Sequence, residues 1–309
     1  MDKKQKEELI RLVGERVRFD CLMAQYTTFG VGGHVEALYE ASDLEGLRQV
    51  VVYLNKEHIP YLVVGRGSNL LVKDGGLEGV VILLRESLAF RPAKPTQTDT
   101  QEDDLTILTG AGLPIIDLLI YCRDSGLGGL EFLAGIPGTV GGAVVMNAGA
   151  FGREIEAKIK EIYVIASQGD LIIRDRSQLN FSYRGLEIEE GSVIIRVCFQ
   201  LEQETEEVVA ERIAGYLKKR KENQPLEFSS AGSVFRNPPN DYAGKLIENA
   251  GLKGKRIGGA MISKKHANFI INTGDAKAED IISLLYLAQN KVLEETGIEL
   301  QPEIQVVGR

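Results

Sequence analysis

The sequence has few of the residues on which metal sites and disulfide frameworks depend. Its 309 residues include only three cysteines and three histidines, and neither type is clustered. The cysteines, Cys21, Cys122 and Cys198, lie far apart among apolar residues, which indicates buried free thiols in a reducing compartment. Because cysteine and histidine do not cluster, the sequence predicts no metal site.

Long apolar runs and long basic runs are also absent from the sequence. No run approaches the roughly 20 apolar residues that a membrane-spanning helix needs. A formal net charge of −8 without a basic cluster argues against a nucleic-acid surface. Residues 1–20 are charged throughout and have no apolar signal core, but they predict a short amphipathic helix. We therefore expect a cytoplasmic protein that binds neither membranes nor nucleic acids.

Glycine, by contrast, is abundant, with 34 residues. Many of them fall in three loops, at 26–33, 64–71 and 134–143, and the third continues to residue 152. Glycine accepts positive φ and lets the backbone approach a ligand closely. Successive N–H groups in such loops form anion-binding nests, to which serine and threonine hydroxyls add donors. One such loop fits an ordinary tight turn equally well, but three together favour a diphosphate-containing ligand.

The second loop is similar to the Rossmann dinucleotide fingerprint but departs from it. Gly65 and Gly67 are followed by Leu70 where the third glycine belongs, and no βαβ unit with a ribose-binding acid follows. The P-loop and nucleophile-elbow patterns are absent from the sequence as well. Helical and strand patterns mix without a regular βαβ repeat, so the sequence predicts an α+β fold rather than a doubly wound sheet.

Apolar periodicity predicts the principal helices and strands. Ser42 and Glu45 match a capping box that opens one helix, and the polar, proline-containing residues 91–104 predict a linker or surface insertion. Strands are predicted at 61–64, 80–84, 105–109, 159–166, 171–174, 193–201 and 304–307. Further helices are predicted from Pro114 to Gly126, at 204–222, at 241–250 and over the segment that Gly297 ends.

Ser233 stands in the segment SSAGSVFRNPP, residues 229–239, and three roles are open to it. A nucleophilic serine needs a base, normally histidine, yet nothing in the sequence links Ser233 to His34, His58 or His266. A positioned hydroxyl can instead protonate a carbanion that forms beside it, as a general acid. A small residue in a Gly-Ser turn is the remaining interpretation.

Arg184 and Glu303 are two further candidates. Arg184 ends the segment Phe-Ser-Tyr-Arg in a predicted short loop, and Glu303 lies where the last strand begins. A guanidinium is the preferred partner of a carboxylate or of a developing enolate. Taken alone, each of the two is more often an ordinary surface residue.

Taken in order along residues 27–308, these motifs resemble those of the UDP-N-acetylenolpyruvoylglucosamine reductase family. The matching segments are Thr-Thr-Phe-Gly-Val-Gly-Gly, Gly-Arg-Gly-Ser-Asn-Leu-Leu, Ala-Gly-Ile-Pro-Gly-Thr-Val-Gly-Gly-Ala, Tyr-Arg, Ser-Ala-Gly-Ser-Val-Phe-Arg-Asn-Pro, Ala-Gly-Lys-Leu-Ile-Glu, Gly-Leu-Lys-Gly and Pro-Glu-Ile. The short connection ahead of Ser229 resembles the shorter form of the family, which lacks a lid carrying a tyrosine.

The resemblance implies an FAD-binding fold of the vanillyl-alcohol-oxidase type, with two α+β subdomains and a C-terminal α+β substrate domain. The implied segments are an N-terminal helix over 1–20, subdomains over 21–86 and 87–201, and the substrate-binding domain over 202–309. FAD would be bound non-covalently, and NADPH would be the hydride donor. The cofactor-binding residues that the resemblance implies are Thr28, Gly30, Gly32, Gly65, Arg66, Gly67, Ser68, Asn69, Leu70, Gly135, Pro137, Gly138, Thr139, Gly141, Gly142, Ala143 and Asn147.

The implied activity is the reduction of UDP-N-acetylglucosamine enolpyruvate to UDP-N-acetylmuramate in peptidoglycan synthesis. Ser233 matches the family's proton donor, and Arg184 and Glu303 match positions that stabilise charge at the substrate carboxylate. The substrate contacts that the resemblance implies are Tyr183, Asn237 and Lys245, with Lys253 as a further candidate.

Two other interpretations stay open on the sequence. A flavin oxidase of the same fold would pass electrons to dioxygen, but it needs no proton donor for an enolate. A noncatalytic nucleotide-sugar binding protein would leave the cofactor loops idle. We expect a monomer whose partners are small molecules.

Overall fold

The computed structural model describes residues 1–84, 96–97 and 105–309. Of the predicted insertion at 91–104, all but residues 96–97 lies outside these described ranges. The chain forms two compact units. The first comprises Met1–Phe19, Ala37–Gly65 and Gly79–Lys218, and the second comprises Asp20–Glu36, Arg66–Glu78 and Lys219–Arg309.

Except for α4, which the sequence does not predict, the α-helices in the described ranges lie close to the helices that apolar periodicity predicts. They are α1 (Lys3–Val13), α2 (Leu44–Lys56), α3 (Ile115–Asp124), α4 (Val140–Val145), α5 (Glu206–Asn223), α6 (Ala243–Asn249) and α7 (Ala278–Thr296). None of these helices is long and apolar enough to cross a membrane.

The strands are short for the most part and form several sheets. They are β1 (Val17–Leu22), β2 (His34–Ala41), β3 (Tyr61–Val64), β4 (Leu70–Val72), β5 (Leu77–Leu84), β6 (Thr96–Gln97), β7 (Leu105–Gly110), β8 (Leu127–Gly128), β9 (Gly149–Ala150), β10 (Arg153–Glu154), β11 (Ile159–Ile165), β12 (Leu171–Asp175), β13 (Asn180–Ser182), β14 (Gly185–Glu187), β15 (Val193–Gln203), β16 (Arg256–Ile257), β17 (Ala260–Ile262), β18 (Ile270–Asn272) and β19 (Gln305–Val307).

The first unit is built around two sheets and one apolar core. Its six-stranded sheet runs β12-β11-β15-β7-β6, with β8 paired to β15, and these pairings are antiparallel. Most of a four-stranded sheet, β1-β2-β5-β3, also belongs here, with β3 and β5 parallel. Helix α2 buries Leu47, Val50, Val51 and Leu54 in this core because they recur at helical spacing on one face.

The second unit has its own core, centred on α6 and α7. Helix α7 buries Ile281, Leu284 and Leu285 on one face, and Gly297 ends it in the left-handed conformation. A three-stranded antiparallel sheet, β16-β17-β18, and the parallel pair β4 and β19 complete the unit. The Asp74 carboxylate, just after β4, accepts the backbone N–H groups of Ala278 and Glu279, each at 3.0 Å, and so caps α7.

None of the three cysteines forms a disulfide, and Cys122 and Cys198 are buried as the sequence predicts, whereas Cys21 is only partly buried. Burial, helped by the charge of Glu131, raises the pKa of the Cys122 thiol to about 12. Burial likewise raises the pKa of Cys198 to about 11. Over residues 1–84 and 105–309, no group of three or more His, Cys, Asp or Glu side chains could hold a metal ion.

The predicted capping box at Ser42 and Glu45 is wrong. The N-cap of α2 is Asp43, whose carboxylate accepts the Gly46 N–H at 2.7 Å. Ser42 lies one residue too early to reach that N–H, and its hydroxyl instead contacts Arg16. Helices α5 and α6 begin two residues later than predicted.

The predicted N-terminal helix over 1–20 is shorter than expected, because α1 ends at Val13 and β1 starts at Val17. Helix α4 is a further difference, because the third glycine loop gives no helical pattern in the sequence. The Thr139 side chain caps it by accepting the Gly142 N–H at 3.4 Å. Its Val140 and Val144 are fully buried, so burial of these two side chains compensates for the poor helix propensity of Gly141 and Gly142.

Candidate active site

The first glycine loop lies in the second unit, and hydrogen bonds of Thr27 within the loop stabilise it. The Thr27 hydroxyl donates to the Val31 carbonyl at 2.8 Å, and the Gly30 N–H donates to the Thr27 carbonyl at 3.1 Å. Gly30 and Gly32 have φ values of +67° and +129°. These backbone conformations are strained for other residues, which explains why the loop carries glycines.

The second glycine loop, from Arg66 onward, packs directly against the first. The Thr28 N–H donates to the Gly67 carbonyl at 3.3 Å. Gly67 has a φ of +61°, and a Cβ there would overlap the Tyr26 carbonyl oxygen. Only glycine allows this approach of the two backbones, so the position is fixed by packing before any ligand is considered.

Thr28 leaves a buried hydroxyl without a partner. Its Oγ1 is inaccessible to solvent and makes no hydrogen bond among the described residues. Buried polar atoms are rarely left unsatisfied, and such an exception calls for a ligand or an ordered water. Thr28 is among the predicted cofactor-binding residues, so an unsatisfied hydroxyl here fits a loop that receives a polar cofactor.

The third glycine loop and Gly65 lie in the first unit and meet each other. A Cβ on Gly65 would overlap the Thr139 hydroxyl, so the end of β3 lies directly against the start of α4. The Gly141 N–H donates to the Ala111 carbonyl at 2.8 Å, and a Cβ on Gly141 would lie 2.8 Å from the Ala111 Cβ. Within the first unit, the end of β3 at Gly65 therefore lies beside the third glycine loop.

The other predicted cofactor residues lie along the same loops. Gly135 has a φ of +81°, which favours glycine. The Gly138 carbonyl accepts the Ile115 N–H at 3.0 Å, and the Ala143 carbonyl accepts the Ala148 N–H at 2.7 Å. The remaining predicted cofactor-binding residues in the third glycine loop are Gly135, Pro137, Gly138, Gly142 and Ala143. Those of the second loop are Arg66, Ser68 and Leu70.

Asn147 joins the third loop to its surroundings. It is fully buried at a φ of +39°. Its amide nitrogen donates to the Glu154 carboxylate at 3.0 Å and to the Ser182 carbonyl at 3.1 Å, while its Oδ1 accepts the Glu156 N–H at 3.3 Å. Both amide hydrogens are therefore used within the protein. A contact of this side chain with FAD stays a prediction, and only Oδ1 retains capacity for it.

Arg184 lies at the tip of the β13–β14 hairpin, in the first unit. Tyr183 and Arg184 form the turn between the paired residues Ser182 and Gly185. The φ of Arg184 is +60°, a conformation that costs a residue other than glycine about 1–2 kcal/mol. Its guanidinium lies over the Tyr183 ring at 5.3 Å. Backbone strain of this kind is concentrated at functional positions.

Ser233 and Glu303 belong to neighbouring segments of the second unit. The Glu303 N–H donates to the Val234 carbonyl at 2.8 Å, and the Arg236 N–H donates to the Gln301 carbonyl at 2.9 Å. Both Ser233 and Glu303 are partly buried. The structure thus brings together two predicted catalytic residues that are distant in sequence.

The second glycine loop is attached to the same place through Asn69. The Asn69 amide donates to the Glu303 carbonyl at 3.1 Å, and the Gln305 N–H donates to the Asn69 carbonyl at 2.9 Å. Leu70 then begins β4, which pairs in parallel with β19 from Gln305 onward. A predicted cofactor loop and a predicted catalytic carboxylate therefore share one backbone network.

The predicted substrate residues make internal contacts. The Asn237 side chain accepts the Ala243 N–H at 3.1 Å, next to the start of α6. Lys245 pairs with Asp241 at 3.1 Å, and Lys253 pairs with Glu248 at 2.8 Å. Exposed pairs of this kind are weak, so either lysine can exchange its partner for a ligand anion. Tyr183 is 45% exposed.

His266 lies close to α6, and the structure gives it a defined proton state. Its Nδ1 accepts the Asn268 N–H at 3.2 Å, and a Cβ on Gly244 would lie 3.0 Å from its Cε1. Burial, together with the charge of Lys253, lowers the pKa of this imidazole below the ordinary 6.5. His266 is therefore neutral at pH 7 with its proton on Nε2.

The sequence reasoning assigned no role to two asparagines of this unit, the buried Asn268 and the partly buried Asn272. The Asn268 side chain hydrogen-bonds the Phe235 backbone. Asn272 donates from its amide nitrogen to the Phe29 carbonyl at 2.9 Å, and its backbone N–H donates to the Ser229 carbonyl. A signal was present, since each asparagine interrupts an otherwise apolar run, where a polar side chain needs a specific partner.

Comparison with known proteins shows the class of FAD-binding protein to which this chain belongs. Residues 35–173 match the FAD binding domain family. A VAO-type flavoprotein from Myceliophthora thermophila, 12% identical, aligns with 99% of this chain and 63% of its own at a TM-score of 0.50. The protein therefore has the predicted FAD-binding fold of the vanillyl-alcohol-oxidase type, and FAD is its cofactor.

Full-length relatives narrow the class to one family. Residues 224–307 match the C-terminal domain of UDP-N-acetylenolpyruvoylglucosamine reductase. The reductase of Syntrophus aciditrophicus is 42% identical over 98% of this chain and 96% of its own length, and that of Clostridium kluyveri is 40% identical over 95% and 94%. The crystal structure of the Thermus caldophilus reductase, 36% identical, covers 94% of this chain and 100% of its own at a TM-score of 0.79.

The chain belongs to the UDP-N-acetylenolpyruvoylglucosamine reductase family. It is an FAD-dependent oxidoreductase whose activity is that of this family. The predicted family, fold class and flavin cofactor are thereby confirmed. The flavin oxidase and the noncatalytic binding protein are not supported by any of these relatives.

Proposed function

We propose that the enzyme uses NADPH to reduce UDP-N-acetylglucosamine enolpyruvate to UDP-N-acetylmuramate, with Ser233 as the proton donor. Bound FAD would supply the redox chemistry, as the carrier of the hydride between NADPH and the methylene carbon of the enolpyruvyl group. The chain's own residues bind the reactants, stabilise the charge that appears on the substrate and supply the proton.

The residues of the three glycine loops hold the cofactor in this proposal, non-covalently. The unsatisfied Thr28 hydroxyl supports it. Loops of successive N–H groups suit the diphosphate. Gly135 to Ala143 and Asn147 would line the rest of FAD. The division into an N-terminal helix, two FAD-binding subdomains and a substrate domain over 202–309 is part of the proposal.

Arg184 and Glu303 act at the substrate carboxylate. Hydride addition to the methylene carbon leaves an electron pair on the adjacent carbon, which its carboxylate shares as an enolate. A guanidinium at that carboxylate stabilises the developing charge more than the neutral double bond, which lowers the barrier. Glu303 assists if its carboxyl holds or shares a proton, since a bare carboxylate would repel the enolate.

Ser233 completes the reaction. Its hydroxyl transfers a proton to the carbon that carries the electron pair, a new C–H bond forms, and the serine alkoxide is reprotonated from solvent. No histidine base is needed, because the substrate carbanion is itself the base. The single observation that carries the proposal is the hydrogen bond from the Glu303 N–H to the carbonyl of Val234, the residue after Ser233, because it holds the backbones of the two proposed residues next to each other.

The family supports the proposed substrate contacts, and the negative net charge supports the proposal that the enzyme does not bind nucleic acid. Tyr183, Asn237 and Lys245 bind the UDP-sugar, with the lysine at the diphosphate, and Lys253 is a further candidate. With a net charge of −8, we propose that the enzyme is a cytoplasmic monomer that binds neither nucleic acid nor membrane.

The test is an anaerobic visible spectrum of the purified protein, recorded as NADPH and then the enolpyruvyl substrate are added. We expect a flavin band that bleaches with NADPH and returns with the substrate. A band that only dioxygen restores would instead indicate a flavin oxidase. A colourless protein that does not bind added FAD would indicate a noncatalytic binding protein.

A further inference from the structure

Asn268 acts as an additional strand partner for the segment that carries Ser233. Its amide nitrogen donates to the Phe235 carbonyl at 2.8 Å, and its Oδ1 accepts the Phe235 N–H at 3.0 Å. Its own backbone carbonyl accepts the Val234 N–H at 2.9 Å. One residue therefore satisfies three of the four backbone groups of Val234 and Phe235, and the fourth, the Val234 carbonyl, accepts the Glu303 N–H.

The orientation of this amide is fixed by its partners. A flipped amide would direct its nitrogen at the Phe235 N–H and its oxygen at the Phe235 carbonyl, so both bonds would be lost. Asn268 is 3% exposed and Phe235 is 1% exposed. Water cannot replace the side chain there without opening the core, so removal of the amide leaves buried backbone groups unpaired.

Glu303 is attached to the same segment. The Val234 carbonyl accepts the Glu303 N–H at 2.8 Å, while the Val234 N–H donates to the Asn268 carbonyl. The segment from Ser233 to Arg236 is thus held both by Asn268 and by residues 301–303. Loss of the Asn268 bonds would let the segment move relative to Glu303.

We propose that Asn268 is a positioning residue, which fixes the Ser233 hydroxyl for proton transfer by holding the Phe235 backbone. This inference rests on the proposed role of Ser233. Asn268 itself touches neither substrate nor cofactor in this account, and it acts only through the segment that it binds. Small misplacements of a catalytic group are costly, with a shift of ~1 Å lowering rates about 100-fold.

The experiment measures the two half-reactions separately by stopped-flow absorbance of the flavin in Asn268→Asp. This substitution keeps the shape and the acceptor but replaces the donor that faces the Phe235 carbonyl. We expect flavin reduction by NADPH to stay within about twofold of the wild type and reoxidation by the enolpyruvyl substrate to fall about 100-fold. The substrate dissociation constant should not change, and the solvent deuterium isotope effect on reoxidation should rise.

A double-mutant cycle tests whether Asn268 acts through Ser233. In a Ser233→Ala background, Asn268→Asp should have almost no further effect on reoxidation, because the group that it positions is gone. Asn55→Asp is the matched control, since that partly buried amide donates to the Val51 and Gly191 carbonyls in the first unit. The Asn55→Asp control should leave the rates of both half-reactions unchanged.

The outcomes separate this inference from the proposed function. Ser233→Ala with undiminished reoxidation would overturn the proposed donor and the role of Asn268 with it. If Ser233→Ala slows reoxidation as expected, two results would overturn the positioning role alone. One is that the effects of Ser233→Ala and Asn268→Asp on reoxidation add in the double mutant. The other is that Asn268→Asp slows both half-reactions equally. If Asn268→Asp does not fold, Asn268→Ala, which removes the amide without introducing a carboxylate, is measured in the same cycle.

Discussion

The carbonyl oxygen of Val234 accepts the backbone N–H of Glu303 at 2.8 Å. This bond connects the segment after Ser233 to the start of the last strand. The Glu303 carbonyl in turn accepts a hydrogen bond from the Asn69 side chain at 3.1 Å. A proposed proton donor, a proposed carboxyl and a glycine loop are therefore held by main-chain bonds within one unit, which suits a site that must be preorganised.

Removal of the Ser233 hydroxyl should block one half of the reaction only. In Ser233→Ala we expect full FAD content and normal bleaching by NADPH, but reoxidation by the enolpyruvyl substrate slowed about 10²- to 10⁴-fold, because the enolate carbon loses its acid. Rapid-scan spectra of each half-reaction provide the measurement. Ser229→Ala, an exposed serine four residues earlier, is the control and should behave as the wild type. Equal loss of both half-reactions would contradict the assigned role.

We expect the Gly67→Ala variant to lose most of its bound FAD. A Cβ at this position overlaps the Tyr26 carbonyl, and the φ of +61° is strained for alanine. The two glycine loops must then separate, so we expect low FAD occupancy, measured as the ratio of flavin to protein absorbance. Gly215→Ala is the control, because a Cβ there meets nothing within 4 Å and alanine favours the helix by about 0.5–1 kcal/mol. Full FAD occupancy in Gly67→Ala would refute the loop assignment.

Arg184→Lys tests whether a planar guanidinium is required rather than a positive charge. Lysine keeps the charge but loses the bidentate geometry that suits a carboxylate. We expect reoxidation by the substrate to slow at least about tenfold, with NADPH reduction unchanged. Arg153→Lys, at an exposed arginine of a nearby hairpin, serves as the control. Equal rates in the two variants would remove Arg184 from the catalytic set.

The buried thiols predict a loss of stability in alkaline solution. The folded pKa of Cys122 is raised from 9.0 to about 12 by burial, so above pH 9 the unfolded chain releases a proton that the folded chain keeps. The thiol therefore contributes stability that is present below pH 9 and declines as the pH rises toward 12.

At pH 10 the loss attributable to Cys122 should be about 1.4 kcal/mol. Urea unfolding at pH 8 and pH 10, followed by circular dichroism, measures it. Cys122→Ala lacks the titrating group, so its stability deficit relative to the wild type should shrink between these two pH values. A deficit that stays constant would show that the thiol does not contribute.

Local sequence patterns anticipated most elements, since strands such as β3 and β15 and helices such as α3 and α7 are defined by apolar spacing and by Gly or Pro at their ends. They failed where propensity and packing disagree. Helix α4 forms in a glycine-rich segment because Val140 and Val144 are buried, and Asp43 rather than Ser42 caps α2 because its side chain reaches the Gly46 N–H.

The sequence by itself determined the family, the flavin cofactor and the identity of the candidate residues, because ordered glycine and Ser-Arg-Glu motifs are local and specific. Only the tertiary structure decided which backbones meet. That Gly67 must be glycine, that Thr28 has an unsatisfied hydroxyl, and that Asn268 holds the Ser233 segment beside Glu303 depend on contacts between residues far apart in the chain. Such contacts arise from packing, which no local pattern encodes.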